Sequence, residues 1–328
     1  MQNFATLVSF TDLVGASQEM LDCLQLAERV SETNLSVFIW GERGTGGLQL
    51  AHFIHTNSER TQLPFLIFSA ESLTREAQER ELFGIMVEGR RYIGKLELAQ
   101  GGTVFIDRID LLDQSVQNQL FRVLSSREFE PANTGKTVKL DCRIISSSLY
   151  PPDYLNQNKI MKLELLYRLE GVPFGLPALR NRGADIHRLA EKFIEIICSV
   201  HELPQKRLSI HAIQSLFAYQ WFGNAEELFN CLEKACFSTG NEIPIEDLQL
   251  NTSKPVNGIQ SADTKELPNI LSLENNFLLP IEEVKKRMFQ KALHITKNDV
   301  EKSAELLGIS RATAFRLLKN SNENGDNE

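Results

Sequence analysis

The feature that most constrains this chain is an apolar run, residues 35–40 (LSVFIW). It breaks on the glycine-rich turn GERGTGG, residues 41–47, and opens into the helical pattern of residues 49–56. Strand, glycine turn and helix in that order is the layout of a phosphate-binding loop, whose backbone N–H groups cradle phosphates at the positive end of a helix. The full pattern is G-x-x-x-x-G-K-[ST]. Gly41 and Gly46 hold the glycine places, but Gly47 stands where the lysine belongs and Leu48 where the hydroxyl does. That lysine is the cation that reaches the terminal phosphates. Two readings stay open. One is a weakened nucleotide site in which the backbone of Gly44, Thr45, Gly46, Gly47 and Leu48 still cradles phosphate. The other is a retained turn with no ligand.

Further short apolar runs follow at residues 65–69 (FLIFS), 103–107 (TVFID) and 142–146 (CRIIS). Turn signals bound each of them, as they bound buried parallel strands. Helical patterns such as 49–56 and 116–124 lie between them, and the alternation predicts an α/β domain with helices covering a parallel sheet. Helical spacing over residues 185–248 predicts a small all-α lid. Residues 251–279 are rich in Asn, Ser, Thr and Pro and read as a linker. The tail, residues 321–328, is polar and expected to be disordered.

At 328 residues the chain has room for two or three domains of roughly 100–200 residues. No stretch approaches the about 20 apolar residues that cross a bilayer, and the start has no basic region leading into an apolar one, so no signal peptide is expected. Cys23, Cys142, Cys198, Cys231 and Cys236 are scattered with no C-x-x-C pair, which predicts reduced thiols, no zinc and no other metal site. These features predict a cytoplasmic protein. The net charge of −8 argues against nucleic acid binding over the whole surface. It leaves room for a small basic module, because attraction to phosphate is local at physiological salt.

Residues 281–319 supply such a module. Val284, Met288, Ala292 and Leu293 make one helical face. A second helix begins after Asn298, runs through Val300 and Ala304 to Leu307, and stops at Gly308. Ser310 then caps a third helix from Arg311 to Lys319, with Ala314, Leu317 and Leu318 on its apolar side. Two short helices joined by a tight glycine turn make a helix-turn-helix. Its second helix enters the major groove with its N-terminal residues near base edges. Arg311 and Thr313 are assigned to bases or the adjacent phosphate, Ser310 to the same exposed face, and Arg316 and Lys319 to phosphates. Lys285, Lys286 and Arg287 either extend this surface or form an ordinary solvated face. Such modules bind double-stranded DNA as dimers.

The segment WGERGTGGLQLAHFIH closely resembles the phosphate-loop region of bacterial sigma-54 enhancer-binding activators, which are AAA+ ATPases. The segments PFLIFSAESL, ERELFG, LAQGGTVFIDRIDLLDQSVQNQLFRVL, LLYRLEGVPFGLPALRNRGADIHRLAEKFI and WFGNAEEL continue the likeness in order, and AELLGISRATAFRLLK resembles the Fis-type module that ends those proteins. The resemblance implies an AAA+ α/β subdomain over residues 12–184 with a helical lid over 185–250. A linker over 251–279 and an all-α helix-turn-helix domain over 280–320 follow. Residues 1–11 are a short extension, too short for a separate sensory domain, an architecture similar to the phage-shock activators.

The departures from that family bear on its chemistry. Its second nucleotide motif ends Asp-Glu, the Asp for the metal–water shell and the Glu for the attacking water. Here it ends Asp107-Arg108, and a guanidinium accepts no proton. Ser148 and Leu149 stand where the resemblance expects Thr-Asn, and Glu226 where it expects the lid arginine. Of the two arginine fingers that the family offers a neighbouring protomer, one place holds Lys162 and the other Arg168. We therefore expect Asp107 and Arg168 to be vestigial, ATP hydrolysis to be negligible, and no cofactor to be held, with ATP or ADP plus magnesium as the alternative occupant. After ERELFG the family carries a G-A-F-T-G-A loop that touches sigma-54. Here the segment IMVEGRRYI is too short for it, and its Arg90 and Arg91 are similar to the tyrosine-repressor branch, which lacks that loop. They form either a solvated turn or a contact with polymerase or DNA backbone.

The expected function is sequence-specific transcriptional regulation at operator or enhancer DNA in a bacterial nucleoid. RNA polymerase, further copies of the chain, and a paralogue or regulatory protein are candidate partners, with no membrane. Two alternatives are a divergent ATP-dependent sigma-54 activator and a non-catalytic subunit of an active paralogue.

Overall fold

The structure is a computed structural model that describes residues 4–238, 240–250 and 299–300. The chain divides into two units, Met1–Ser253 and Lys254–Glu328. The expected helix-turn-helix, with Ser310, Arg311, Thr313, Arg316 and Lys319, lies outside the described residues, as does the expected linker.

Two short helices open the first unit, α1 (Phe4–Leu7) and α2 (Phe10–Leu13), followed by α3 (Gln18–Ser31). Ser9 starts α2 with a capping box, accepting from the Asp12 N–H while its own N–H donates to the Asp12 carboxylate. Strand β1 (Val37–Trp40) feeds α4 (Gly47–Thr56), and β2 (Phe65–Ser69) feeds α5 (Arg75–Phe83). A hairpin of β3 (Gly84–Val87) and β4 (Arg90–Ile93) precedes α6 (Lys95–Leu98). Then come β5 (Thr103–Asp107), α7 (Gln114–Ser126), the small pair β6 (Glu128–Phe129) and β7 (Val138–Lys139), and β8 (Arg143–Ser148). Helices α8 (Pro152–Gln157) and α9 (Leu163–Leu169) lead to β9 (Val172–Gly175). The lid is α10 (Gly183–Val200), α11 (Ile210–Ala218) and α12 (Asn224–Cys236), with the short pair β10 (Arg207–Leu208) and β11 (Glu242–Ile243).

The main sheet is ordered β2-β5-β8-β1-β9 and every pairing in it is parallel. Alternation along β1 explains its two-sided burial. Val37 and Ile39 join one cluster with Leu50 and Ile54 of α4 and the lid residues Phe193, Trp221 and Phe229. Phe38 turns to the opposite cluster, with Val104, Ile106, Leu120 and Leu165. Successive strand side chains point to opposite faces, so one apolar run serves both layers. Helix α7 shows the matching helical logic: Val116, Leu120, Val123 and Leu124 are buried on one stripe, and Asp113 caps its start by accepting from the Ser115 N–H.

The observed frame is the AAA+ α/β fold with a helical lid that the alternating pattern predicts. Three differences have physical reasons. The fifth strand, β9, was not expected, because Pro173 interrupts its run; an edge strand tolerates the missing N–H. Strand β1 begins two residues later than the apolar run, with Leu35 51% exposed. Residues 4–13, which include most of the short extension, pack inward. Phe4, Val8, Phe10 and Leu13 enter the core, and the Phe4 ring meets Phe193 and Phe229 edge-on at 6.2 and 5.7 Å. Burying a phenylalanine is worth about 1.5–3 kcal/mol, enough to bind so short a segment to the lid. Among the described residues, no helix is long and apolar enough to cross a membrane.

Candidate nucleotide cleft

Parallel strands present their C-terminal ends to one side, and ligands of open α/β sheets settle there. In this sheet the ends of the neighbours β5, β8 and β1 converge, placing Asp107, Ser148 and the turn after Trp40 around one cleft of about 300 Å³. The turn contributes Gly41, Gly44, Thr45, Gly46, Gly47 and Leu48, so the sequence-predicted loop and Asp107 do come together. Gly44 and Gly46 have φ of 75° and 107°, a region open to glycine at little cost. Gly46 precedes α4 with no side chain capping the helix. Thr45 does not face the cleft with its hydroxyl, which donates to Glu42 O at 2.8 Å.

Both cations that line the cleft are paired with carboxylates of the same chain. Arg43, on the loop, forms an ion pair with Glu71. Arg108 leaves β5 at φ 55°, and its guanidinium turns back onto the buried Asp110, with Nη2 to Oδ2 at 2.8 Å. The Asp110 hydrogen bond is the main reason that the Arg108 pKa is raised, so this group stays a cation. Ser147 Oγ donates to Asp107 Oδ1 at 2.6 Å and accepts from the Arg108 N–H at 3.2 Å. Ser148 Oγ is taken by the Tyr150 N–H, and Leu149 adds only an apolar wall. Among the described residues that line the cleft, the cations are Arg43 and Arg108, both paired, and the carboxylates are Glu42, Glu71, Asp107 and Glu226.

The lining departs from the phosphate-loop pattern: both of its cations are paired, no hydroxyl stands at Leu48, and Glu226 adds an exposed carboxylate. Phe4, Ala5, Ile39 and Leu176 add an apolar part to the lining. The part played by Phe4 and Ala5 was missed in the sequence, because no local pattern joins residue 4 to a lid helix.

The lid touches the loop directly, which sequence spacing also missed. Asn224 Nδ2 donates to Arg43 O at 2.7 Å and to Glu42 Oε2 at 3.3 Å, while its Oδ1 accepts from the Leu179 N–H at 2.7 Å. The Ala225 N–H donates to Gly44 O at 3.0 Å. Arg180 Nη1 donates to Glu42 Oε2 at 2.7 Å, and its Nη2 pairs with the other carboxylate oxygen. The Arg180 hydrogen bond is the leading reason that the Glu42 carboxyl titrates below its ordinary range. Lys162 and Arg168 do not line this cleft. Lys162 Nζ donates to Asn118 Oδ1 at 2.7 Å, and Arg168 is exposed on the last turn of α9.

The segment after α5 is a tight hairpin. Val87 pairs with Arg90 across Glu88 and Gly89, whose φ values are 50° and 77°; positive φ at both central residues suits the twist of a two-residue connection. Arg90 is exposed and Arg91 pairs with Glu97 at 2.7 Å.

Comparison with known proteins adds the following. A family model described as the Sigma-54 interaction domain matches residues 13–174, and one described as the AAA+ ATPase lid domain matches residues 180–264. The nitrogen assimilation regulatory protein NtrX of Azorhizobium caulinodans is 31% identical over 313 residues, covering 94% of this chain and 68% of that protein. The Nif-specific regulatory protein of Enterobacter agglomerans is 33% identical over 314 residues, 94% of this chain and 60% of that protein. The DNA-binding transcriptional regulator NtrC of Escherichia coli K12 is 30% identical over 327 residues, 94% of this chain and 70% of that protein. Among solved structures, Brucella abortus NtrX in complex with ADP superposes with a TM-score of 0.66 at 29% identity, covering 94% of this chain and 68% of that one. The same protein in complex with ATP also gives 0.66, at 30% identity and the same coverage.

Proposed function

The chain belongs to the sigma-54 interaction domain family, and from that premise we propose that it is a bacterial transcriptional regulator that binds specific DNA while its AAA+ domain turns over no ATP. The observation that supports this most is the state of the cations around the cleft: Arg43 and Arg108 are both neutralised by carboxylates of the same chain. Loss of a single transition-state donor commonly costs about 10²–10³ in rate. Here a lysine, a catalytic carboxylate and a lid arginine are replaced at once.

Operator recognition rests on residues 280–320, with Arg311 and Thr313 reading bases and Arg316 and Lys319 holding phosphates of double-stranded DNA. The compact turn at Glu88 and Gly89 supports a regulator that does not engage sigma-54, leaving RNA polymerase in another form as a candidate partner. The chain acts in the cytoplasm, at the nucleoid, and self-associates at least as a dimer through its DNA module.

A second reading is a divergent ATP-dependent activator. It is favoured by the likeness over 94% of this chain to a protein solved with ADP and with ATP. In it Asp107 holds the metal–water shell, and Arg168 completes the site of a neighbouring copy or of an active paralogue.

One pair of assays separates the two. The purified chain is expected to bind operator fragments selected from genomic DNA, and Arg311→Ala is expected to weaken that binding about tenfold or more, since one base contact is worth about 1–3 kcal/mol. Its steady-state release of phosphate from ATP is expected to equal that of Asp107→Ala. Turnover that Asp107→Ala abolishes establishes the second reading instead.

A further inference from the structure

Cys198 and Cys236 stand far apart in the sequence, in no C-x-x-C pair, and the fold brings them together. Cys198 lies two residues before the end of α10, and Cys236 is the last residue of α12. Both are buried, at 2% and 0% exposure, in the same apolar cluster. The two helices meet at these ends. His201, the C-cap of α10, sets its ring edge-on against Phe237, the C-cap of α12, with centroids 5.0 Å apart. The His201 Nε2 atom also lies 3.2 Å from Glu233 Oε1 of α12. Within this joint the Cys236 thiol is in hydrogen-bonding contact with the Cys198 thiol. Lys206, itself buried, donates from Nζ to Ser238 O and Gly240 O at 2.6 Å each and so fixes the chain just past Cys236. The remaining thiols are placed differently: Cys142 belongs to the opposite cluster, and Cys23 and Cys231 each donate to a backbone carbonyl.

We infer that Cys198 and Cys236 form a site of reversible oxidation, a thiol pair that a hydroperoxide converts to a disulfide joining the ends of α10 and α12. The site goes beyond the regulatory function proposed above and does not depend on it. The thiolate is the reactive form of cysteine. Burial is the main cause that pushes the Cys236 thiol up to about 12, and the charge of Lys206 works against it. Reaction therefore proceeds through fraying of the last turn of α12, since helix ends open most readily. The Cys236 thiolate attacks one peroxide oxygen; an S–O bond forms, the O–O bond breaks, and the departing hydroxide takes up a proton to leave as water. The Cys198 sulfur then attacks the sulfenic sulfur; the S–S bond forms, the S–O bond breaks, and a second water leaves with the Cys198 proton. Two thiols thus lose two protons and two electrons, and one hydrogen peroxide becomes two waters. The bond closes a loop that contains β10 and α11. Such cross-links stabilise chiefly by restricting the unfolded chain, so an oxidised lid unfolds less readily than a reduced one.

Treating the folded full chain with hydrogen peroxide, then mapping its cysteines by mass spectrometry under non-reducing conditions, tests this. The expected product is a pair of peptides cross-linked through Cys198 and Cys236, lighter by two hydrogen atoms than the free peptides and returned to two thiols by dithiothreitol. The oxidised chain is expected to melt about 5 °C or more above the reduced one. Cys236→Ala is expected to lose both the cross-link and the gain in melting temperature, whereas Cys231→Ala keeps both. The inference is overturned if Cys198 and Cys236 stay thiols or pass to sulfinic acid, or if the bridge joins another pair of cysteines. It is overturned as well if the bridge forms only in the urea-unfolded chain, or if it forms and lowers the melting temperature. The map of the wild-type chain decides the matter by itself if Cys236→Ala does not fold.

Discussion

The floor of the cleft and its seam with the lid have opposite characters. At the floor, Asp107, Arg108, Ser147 and Ser148 are bonded to their own neighbours, and the one cation among them, Arg108, is paired with Asp110. At the seam, Glu42, Asn224 and Arg180 reach across more than a hundred residues of sequence to join two subdomains. The loop's shape and the loop's chemistry are thus held by different groups. Glycine torsions and seam contacts keep the shape, and they remain in place where the phosphate-binding lysine is lost.

The largest expected effect is at a buried pair that ties residues 13–17 to the first turn of α10. Arg182 and Asp185 have side chains 1% and 0% exposed, and removing one partner of such a pair strands the other charge at a cost of about 3–5 kcal/mol. Arg182→Ala is expected to lower the unfolding free energy of the full chain by that amount in a urea titration. A loss below 1 kcal/mol would mean that this pair does not hold residues 13–17 to the start of α10. Next in size is Asn224→Ala, which leaves the buried Leu179 N–H and the half-buried Arg43 carbonyl without this partner. Two stranded groups at about 1–3 kcal/mol each, not fully additive, give an expected loss of about 2–4 kcal/mol by the same titration.

The floor is probed by restoring charge. A β-carbon at Gly47 would meet only Ile39 Cγ2 within 4 Å, at 3.7 Å, and Gly47 has no positive φ, so Gly47→Lys is expected to leave stability within about 0.5 kcal/mol. It is expected to tighten binding of magnesium ATP about tenfold by calorimetry, worth about 1.4 kcal/mol, while phosphate release stays at the Asp107→Ala level. A burst of turnover in Gly47→Lys would show that lysine alone was missing and that Arg108 is no obstacle.

How much of this was legible in the sequence depends on distance along the chain. Strand–turn–helix at residues 35–56 and the runs at 103–107 and 142–146 were readable, because each is a local pattern of apolar residues and glycines, though the last strand runs on to Ser148. The lost lysine at Gly47 and the guanidinium at Arg108 were readable as identities, but not the outcome that Arg108 folds onto Asp110. That depends on a left-handed turn and a buried carboxylate two residues on. The seam was illegible: Glu42 and Arg180 are far apart in the chain, and nothing in GERGTGG or ALRNRG announces the other. Residues 4–13 were undervalued for the same reason, since the partners of Phe4 lie in lid helices α10 and α12.

The smallest effect is the pH response of the seam, and its sign follows from one group. Glu42 titrates below its ordinary range when folded, chiefly through its hydrogen bond from Arg180. A depressed carboxyl adds stability above its unfolded pKa of about 4.3, and that contribution fades as pH falls through the folded pKa, where the carboxyl takes up a proton. Arg180 remains charged throughout, so the loss belongs to Glu42 alone. With side chains 42% and 32% exposed, solvent screens the pair, and such bridges are worth about 0.2–1 kcal/mol. Wild type is therefore expected to melt slightly higher than Glu42→Gln at pH 7, with the gap shrinking between pH 5 and pH 3 and narrowing also in 1 M salt. A gap that widens on acidification would mean that Glu42 is destabilised where it sits, and that the hydrogen bonds of Asn224 hold the lid without help from charge.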